Sequence, residues 1–208
     1  MEDVLELYEE PYDPSRPVVC MDETSKQLVG EIRTPIPACP GQPRRLDYEY
    51  ERRGTADVFM FTEPLRNWRS AEVTTTRTRI DWAIQIKNLV DLHYPGATKI
   101  RLVMDNLNTH SLASLYEAFP PQEARRIAAK LEIHHTPKHG SWLNIAEIEL
   151  RVLTGQCMNR RISDQAKLRT EVHAWMHQRN ASGALVDWQF KAKDARIHLK
   201  HLYPRLQP

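Results

Sequence analysis

Long hydrophobic runs are missing from this sequence. No apolar segment approaches the ~20 residues of a membrane helix, and the N-terminus lacks the apolar core of a signal peptide; no membrane partner is expected. Cysteine is scarce: Cys20, Cys39 and Cys157 form no CxxC pair. An odd number of thiols, with Cys20 inside an apolar run, argues for reduced cysteines in a cytosolic protein. Internal repeats and low-complexity segments are absent. Excess charge is small as well: a net +2 and a pI near 8.4 only weakly favour nucleic acid as partner. What remains is 208 residues of ordinary soluble composition, enough for one domain with one sizeable core.

Within that chain, Lys99–His110 (KIRLVMDNLNTH) stands out. Ile100, Leu102, Val103 and Met104 read as a short strand buried on both faces, ending abruptly in Asp105 and further polar, turn-prone residues. The carboxyl end of a buried strand is where open α/β sheets place their sites; capping of a helix beginning near Ser111 is the plainer use of Asp105. Pro17–Glu23 (PVVCMDE) repeats the design and ends in Asp22 and Glu23. If the strands are parallel neighbours, two carboxylates ~4 Å apart repel by roughly 4 kcal/mol at an effective dielectric of 20. They then need a shared proton or a divalent cation, and oxygen-only ligands point to Mg²⁺ or Mn²⁺.

A third stretch, Leu131–Leu153, starts as a brief strand (Leu131–His135), turns at Pro137–Gly140, and offers Ser141 as N-cap for a helix from about Trp142. At about 100° per residue, Leu143, Ala146, Glu147, Leu150, Leu153 and Thr154 share one face. Glu147 is thus expected on the inward stripe, and Glu149, about 200° away, in solvent. A charged acid on a core-facing stripe needs a partner: a metal shared with Asp22 and Asp105, or a local arginine.

MDE, MDNLNTH and HHTPKHGSWLNIAEIEL, in that order, resemble the three catalytic segments of a DDE transposase, most nearly those of bacterial insertion sequences akin to the mariner superfamily. The likeness runs from about Pro17 to Pro204. It implies an RNase H-like α/β fold, a mixed five-stranded sheet flanked by helices, with acids on the first strand, the fourth strand and a later helix. The LN-x-x-E pattern at Leu143, Asn144 and Glu147 again selects Glu147. The resemblance implies catalytic and metal-binding roles for Asp22, Asp105 and Glu147 with Mg²⁺ or Mn²⁺, transposon ends and target DNA as substrates, a homodimer in synapsis, and a bacterial, nucleoid-associated setting. Arg44, Arg45, Lys138, His139, Asn144 and His110 are candidate DNA contacts. The interval from Asp105 to Glu147 exceeds the usual one by about one short helix, for which PPQEARRIAAK is the candidate. An RNase H-like nuclease or resolvase without strand transfer would use the same acids, and an inactive DNA- or partner-binding remnant is the reading from another class. A two-carboxylate glycosidase would need neither the third acid nor the basic surround.

The remaining chain divides into an acidic linker or short helix (residues 1–16), the catalytic domain (17–181) and a basic, aromatic tail (182–208) packed on it. Too few residues precede Val18 to hold a helix-turn-helix, so a catalytic domain without its DNA reader is expected. Gln27–Glu31 is expected as a short strand that hairpins with the first, Asp57–Phe61 as the third strand, and Glu72–Val73 as an edge. Thr78–His93 reads as a helix with Ile80, Ala83, Ile84, Ile86 and Val90 inward; Leu112–Phe119 and Gln122–Lys130 as short helices; Asp164–Arg179 as a longer one. His173 and His177 at i and i+4 lack the further ligand and glutamate of a zinc site, so a surface or packing role is expected. In the tail, Trp188 and Phe190 interleaved with lysines and arginines suit DNA contact or partner docking.

Overall fold

A computed structural model describes residues 1–138 and 140–203. Its centre is Val18–Glu31, a single strand, β1. The apolar Val18–Met21 anchors it, and the polar stretch beyond stays extended because Tyr50–Glu63 (β2) pairs with it along its length. Gln27–Glu31 is therefore the far end of β1 rather than a hairpin partner; cross-strand pairing overrides the weak local signal of Thr24–Lys26. The ladder slips once, where Arg53 and Gly54 face Leu28; Gly54, at φ 86°, supplies the backbone conformation this bulge needs.

Trp68–Thr74 (β3) pairs antiparallel with β2. Arg79–Asn88 (α2) starts in a capping box, Thr78 with Asp81, and runs into a π-turn at Leu89–His93. Trp82, Ala83, Ile86, Leu89 and Val90 face inward, whereas Ile80 and Ile84, expected in the core, are 50% and 42% exposed. The bulky indole at Trp82 sets the buried face, rotating the stripe away from both isoleucines. Ile100–Met104 (β4) then lies parallel to β1, and Leu131–His135 (β5) parallel to β4. The sheet order β3-β2-β1-β4-β5 is the expected mixed five-stranded sheet.

Between β4 and β5 lie Leu112–Ala118 (α3) and Pro121–Ala129 (α4); the latter is the extra helix expected in that interval. After β5 come Ile145–Leu153 (α5), Gln165–Ala181 (α6, capped by Asp164) and Ala192–His198 (α7). Glu2–Glu9 (α1) buries Val4, Leu5 and Leu7, and ends where the residue before Pro11 turns extended.

Strand alternation sorts the core into two halves. Val18, Cys20, Val58, Met60 and Val103 face one side with α1, α5, α6 and α7; Val19, Met21, Phe59, Leu102 and Met104 face the other with α2, α3 and α4. Trp188 and Phe190 belong to the first side. Trp188 stacks on Trp142 with ring centroids 6.4 Å apart, and Phe190 meets the Trp142 ring edge-on at 5.4 Å. These rings pack on the domain, as expected of the tail. No helix among the described residues is long and apolar enough to cross a membrane.

Candidate active site

The parallel register sets Cys20 beside Val103. Carried two residues on, it brings Asp22 beside Asp105, both on the face that α5 covers. Asn144 starts α5: its side chain accepts a hydrogen bond from the Ala146 amide, as an N-cap should. Its Nδ2 donates to the Met21 carbonyl at 2.8 Å and lies 3.4 Å from Asp22 Oδ2. The cap thus locks the start of the helix to the end of β1. One turn on, Glu147, Leu150, Arg151 and Thr154 form an i, i+3, i+4, i+7 stripe along a cavity of about 530 Å³ that Asp22, Glu23 and Asp105 also line.

Electrostatically this cavity is short of cations. Burial, then the nearby Glu23, Asp105 and Glu147 carboxylates, push the Asp22 pKa up to about 7, against the pull of the Glu23 amide bonded to it. Glu147 Oε2 is buried with no hydrogen-bond partner. His110 sits between two other acids, its Nδ1 2.6 Å from Asp105 Oδ1 and its Nε2 3.1 Å from Glu23 Oε2. Burial works against the charged ring, yet these two contacts prevail and hold its pKa at about 9. Arg77 lies 3.9 Å from Glu23. Among the described residues, no arginine or lysine forms an ion pair with Asp22, Asp105 or Glu147.

Nor do any three His, Cys, Asp or Glu side chains among the described residues already converge as a closed metal-ligand group. The acids line an open cavity instead. Their chemistry still fits a cation of the Mg²⁺ or Mn²⁺ type: oxygen donors only, mutually repelling, with one buried oxygen unpartnered.

Several candidates fall differently from expectation. The segment Ser141–Leu143 is a 3-10 turn, and Asn144, at φ −83° and ψ 109°, breaks it from α5. The helix begins three residues later than Trp142, so Leu143 does not belong on its wheel, and Ile145, Glu149 and Leu153 form the innermost row. Glu149 is 0% exposed, not in solvent. Arg179 grips it with two bonds, Nε–Oε2 2.6 Å and Nη2–Oε1 2.9 Å, and Arg69, itself 2% exposed, donates from Nη2 to Oε1 at 3.1 Å. The buried glutamate with an arginine partner exists, but it is Glu149. Asn144 and His110, expected on DNA, are buried as a helix cap and as a link between carboxylates. Arg44, Arg45 and Lys138 are exposed; His139 lies outside the described residues. His173 is 3.3 Å from Glu72 of β3, while His177 is exposed.

Sequence reasoning did not assign Glu23, His110 and Asn144 to the architecture of the site. Glu23 had a signal, its place beside Asp22 in MDE. The role of His110 depends on how the turn after β4 folds back, which no spacing rule gives.

The family described as DDE superfamily endonuclease matches residues 17–169. No curated protein matches the chain by sequence. The crystal structure of the Mos1 strand transfer complex superposes with a TM-score of 0.58 at 15% identity, over 88% of this chain and 54% of that one. The Mos1 mariner paired end complex with Mn gives 0.50 at 15% identity, over 90% and 61%. At this identity the likeness establishes the RNase H-like fold; the chain spans about 54–61% of the length of these structures.

Proposed function

The chain belongs to the DDE superfamily endonucleases, and from that premise we propose that it cleaves DNA at the ends of a bacterial insertion element and joins the freed 3′-OH to target DNA. The observation that supports this most is the cavity that Asp22, Asp105 and Glu147 all line, with no arginine or lysine paired to them among the described residues. His110 meets Asp105 and Glu23, but Asp22 and Glu147 have no cationic partner among the described residues, which leaves charge for an outside cation to offset.

Asp22 and Asp105 would hold divalent cations jointly, with Glu147 completing one coordination sphere. Bound Mg²⁺ or Mn²⁺ supplies Lewis-acid stabilisation of the phosphoryl oxygens and eases ionisation of the attacking water or 3′-OH. The protein's own part is positioning. His110 fixes the Asp105 carboxylate through the 2.6 Å contact, and Asn144 ties the Asp22 strand end to the helix that carries Glu147. Fixed geometry of this kind removes orientational freedom from the reacting groups. The proposal includes a dimer that pairs two ends, in the bacterial cytoplasm.

The test is an end-cleavage and joining assay in Mg²⁺ with a duplex taken from the DNA flanking the gene. Nicked and joined products, both lost in Glu147→Gln, are expected. Nicks without joints would reduce the activity to that of a nuclease or resolvase. Binding without either product in the wild-type protein would leave only a DNA-binding remnant.

A further inference from the structure

A second cavity, of about 520 Å³, follows β1 beyond the carboxylates. Lys26, Arg44, Arg160, Arg161 and Lys167 line it against one carboxylate, Glu31. Asn159 lines both cavities, so the basic one runs on from the acidic one. On β1, Lys26 is four residues past Asp22, about 13 Å at strand rise, far enough for a DNA strand to pass more than one phosphate between the two.

Part of this positive charge is already spoken for. Arg161 pairs with Glu31, and Arg160 with Glu171. The rest is not. Lys26 Nζ donates to the Met158 and Arg160 carbonyls at 2.6 and 2.8 Å, which uses two of its three hydrogens and leaves its charge uncompensated, and burial lowers its pKa. Arg44 and Lys167 are exposed and have no ion-pair partner among the described residues. These three cations come from three elements: β1, the β1–β2 loop and the first turn of α6. Tyr50, 44% exposed, adds a ring beside them with the Arg161 guanidinium 5.5 Å from its centroid.

We propose that this cavity carries the phosphate backbone of the substrate strand as it leaves the carboxylate cavity, with Lys26, Arg44 and Lys167 as its phosphate contacts. The inference rests on the reading that the carboxylates act on DNA. It gives that reading a direction: the strand runs along β1 toward the β1–β2 loop and the start of α6. A free phosphate would share the chemistry, but the uncompensated cations are spread over three elements of a cavity open to the acids, which suits a chain of phosphates better than one.

The test is fluorescence anisotropy of a labelled duplex without divalent metal, so that binding is read apart from cleavage. Arg44→Gln/Lys167→Gln is compared with wild type and with Arg125→Gln, which removes one exposed positive charge on α4. The double variant is expected to bind on the order of 10-fold more weakly, with its salt slope reduced by about 1.8, two phosphate contacts at about 0.9 each on duplex DNA. Arg125→Gln should bind like wild type. An unchanged slope and affinity in the double variant would overturn the proposal, as would displacement of DNA by inorganic phosphate at matched ionic strength, which marks a small-anion site. The rise in melting temperature with Mg²⁺ is followed in the same proteins. Its absence in wild type would count against the carboxylate reading, while its presence together with an unchanged slope would reject the cavity alone.

Discussion

Glu147 and Glu149 are the same residue type on the same helix, two positions apart, and the fold treats them in opposite ways. Glu149 points into the core and receives two arginines, from β3 and α6. Glu147 points along a cavity toward Asp22 and Asp105, with one buried oxygen and no partner. Burial alone would nominate Glu149, the deeper of the two, which is the one with its own arginines. The supply of counter-charge distinguishes them: an acid given its own arginines holds the domain together, and under the function proposed above an acid facing other acids is left for an external cation. α5 thus joins the two regions, one row of side chains pinning the helix and the adjacent stripe using the position so gained.

Substitutions at the two positions should separate chemistry from stability. The largest effect expected is that of Glu147→Gln on cleavage, a loss of orders of magnitude in rate. Its unfolding free energy should stay within about 1 kcal/mol of wild type, because the change removes a repelled charge rather than a partner. Glu149→Gln should do the reverse, costing about 3–5 kcal/mol in denaturant melts, because Arg69 is left buried without its counter-ion. If Glu149→Gln proved harmless and Glu147→Gln unfolded the protein, the contrast would be inverted.

Metal sharpens the comparison next. Mg²⁺ or Mn²⁺ at 100-fold above its Kd should stabilise the native state by about 2.7 kcal/mol, read as a rise in melting temperature. Asp105→Ala should abolish the rise, and Glu149→Gln, measured from its own lower baseline, should keep it. The smallest effect is expected on α6: His173→Ala/His177→Ala should move stability by less than about 0.5 kcal/mol per site and leave the metal-induced rise intact. A rise that followed the histidines instead would place the cation on the wrong helix.

Much of the site was legible without coordinates, for a local reason. Val18–Met21 and Ile100–Met104 are apolar runs with acids at their ends, and a strand buried on both faces writes itself as such a run whatever it packs against. Parallel neighbours then bring their ends level, so Asp22 and Asp105 could be paired from sequence. The mixed five-stranded sheet and the extra helix at Pro121–Ala129 were implied by the resemblance to DDE transposases rather than by local pattern. The register of α5 was not legible. A helical wheel assumes unbroken helix, and the break at Asn144 depends on that side chain meeting its own backbone and the Met21 carbonyl.

The sequence by itself determined which residues end the strands and placed Glu147 after Leu143 and Asn144 in a pattern that resembles the third-acid motif of DDE transposases. Only the tertiary structure decided which glutamate would be neutralised. Arg69 lies 80 residues from Glu149 and Arg179 lies 30 away, and His110 reaches Glu23 only because the chain after β4 folds back over β1. Hydrophobic periodicity is a property of neighbours along the chain, whereas charge compensation is a property of neighbours in space. No pattern read along α5 could tell the glutamate that has its arginines from the one that has none.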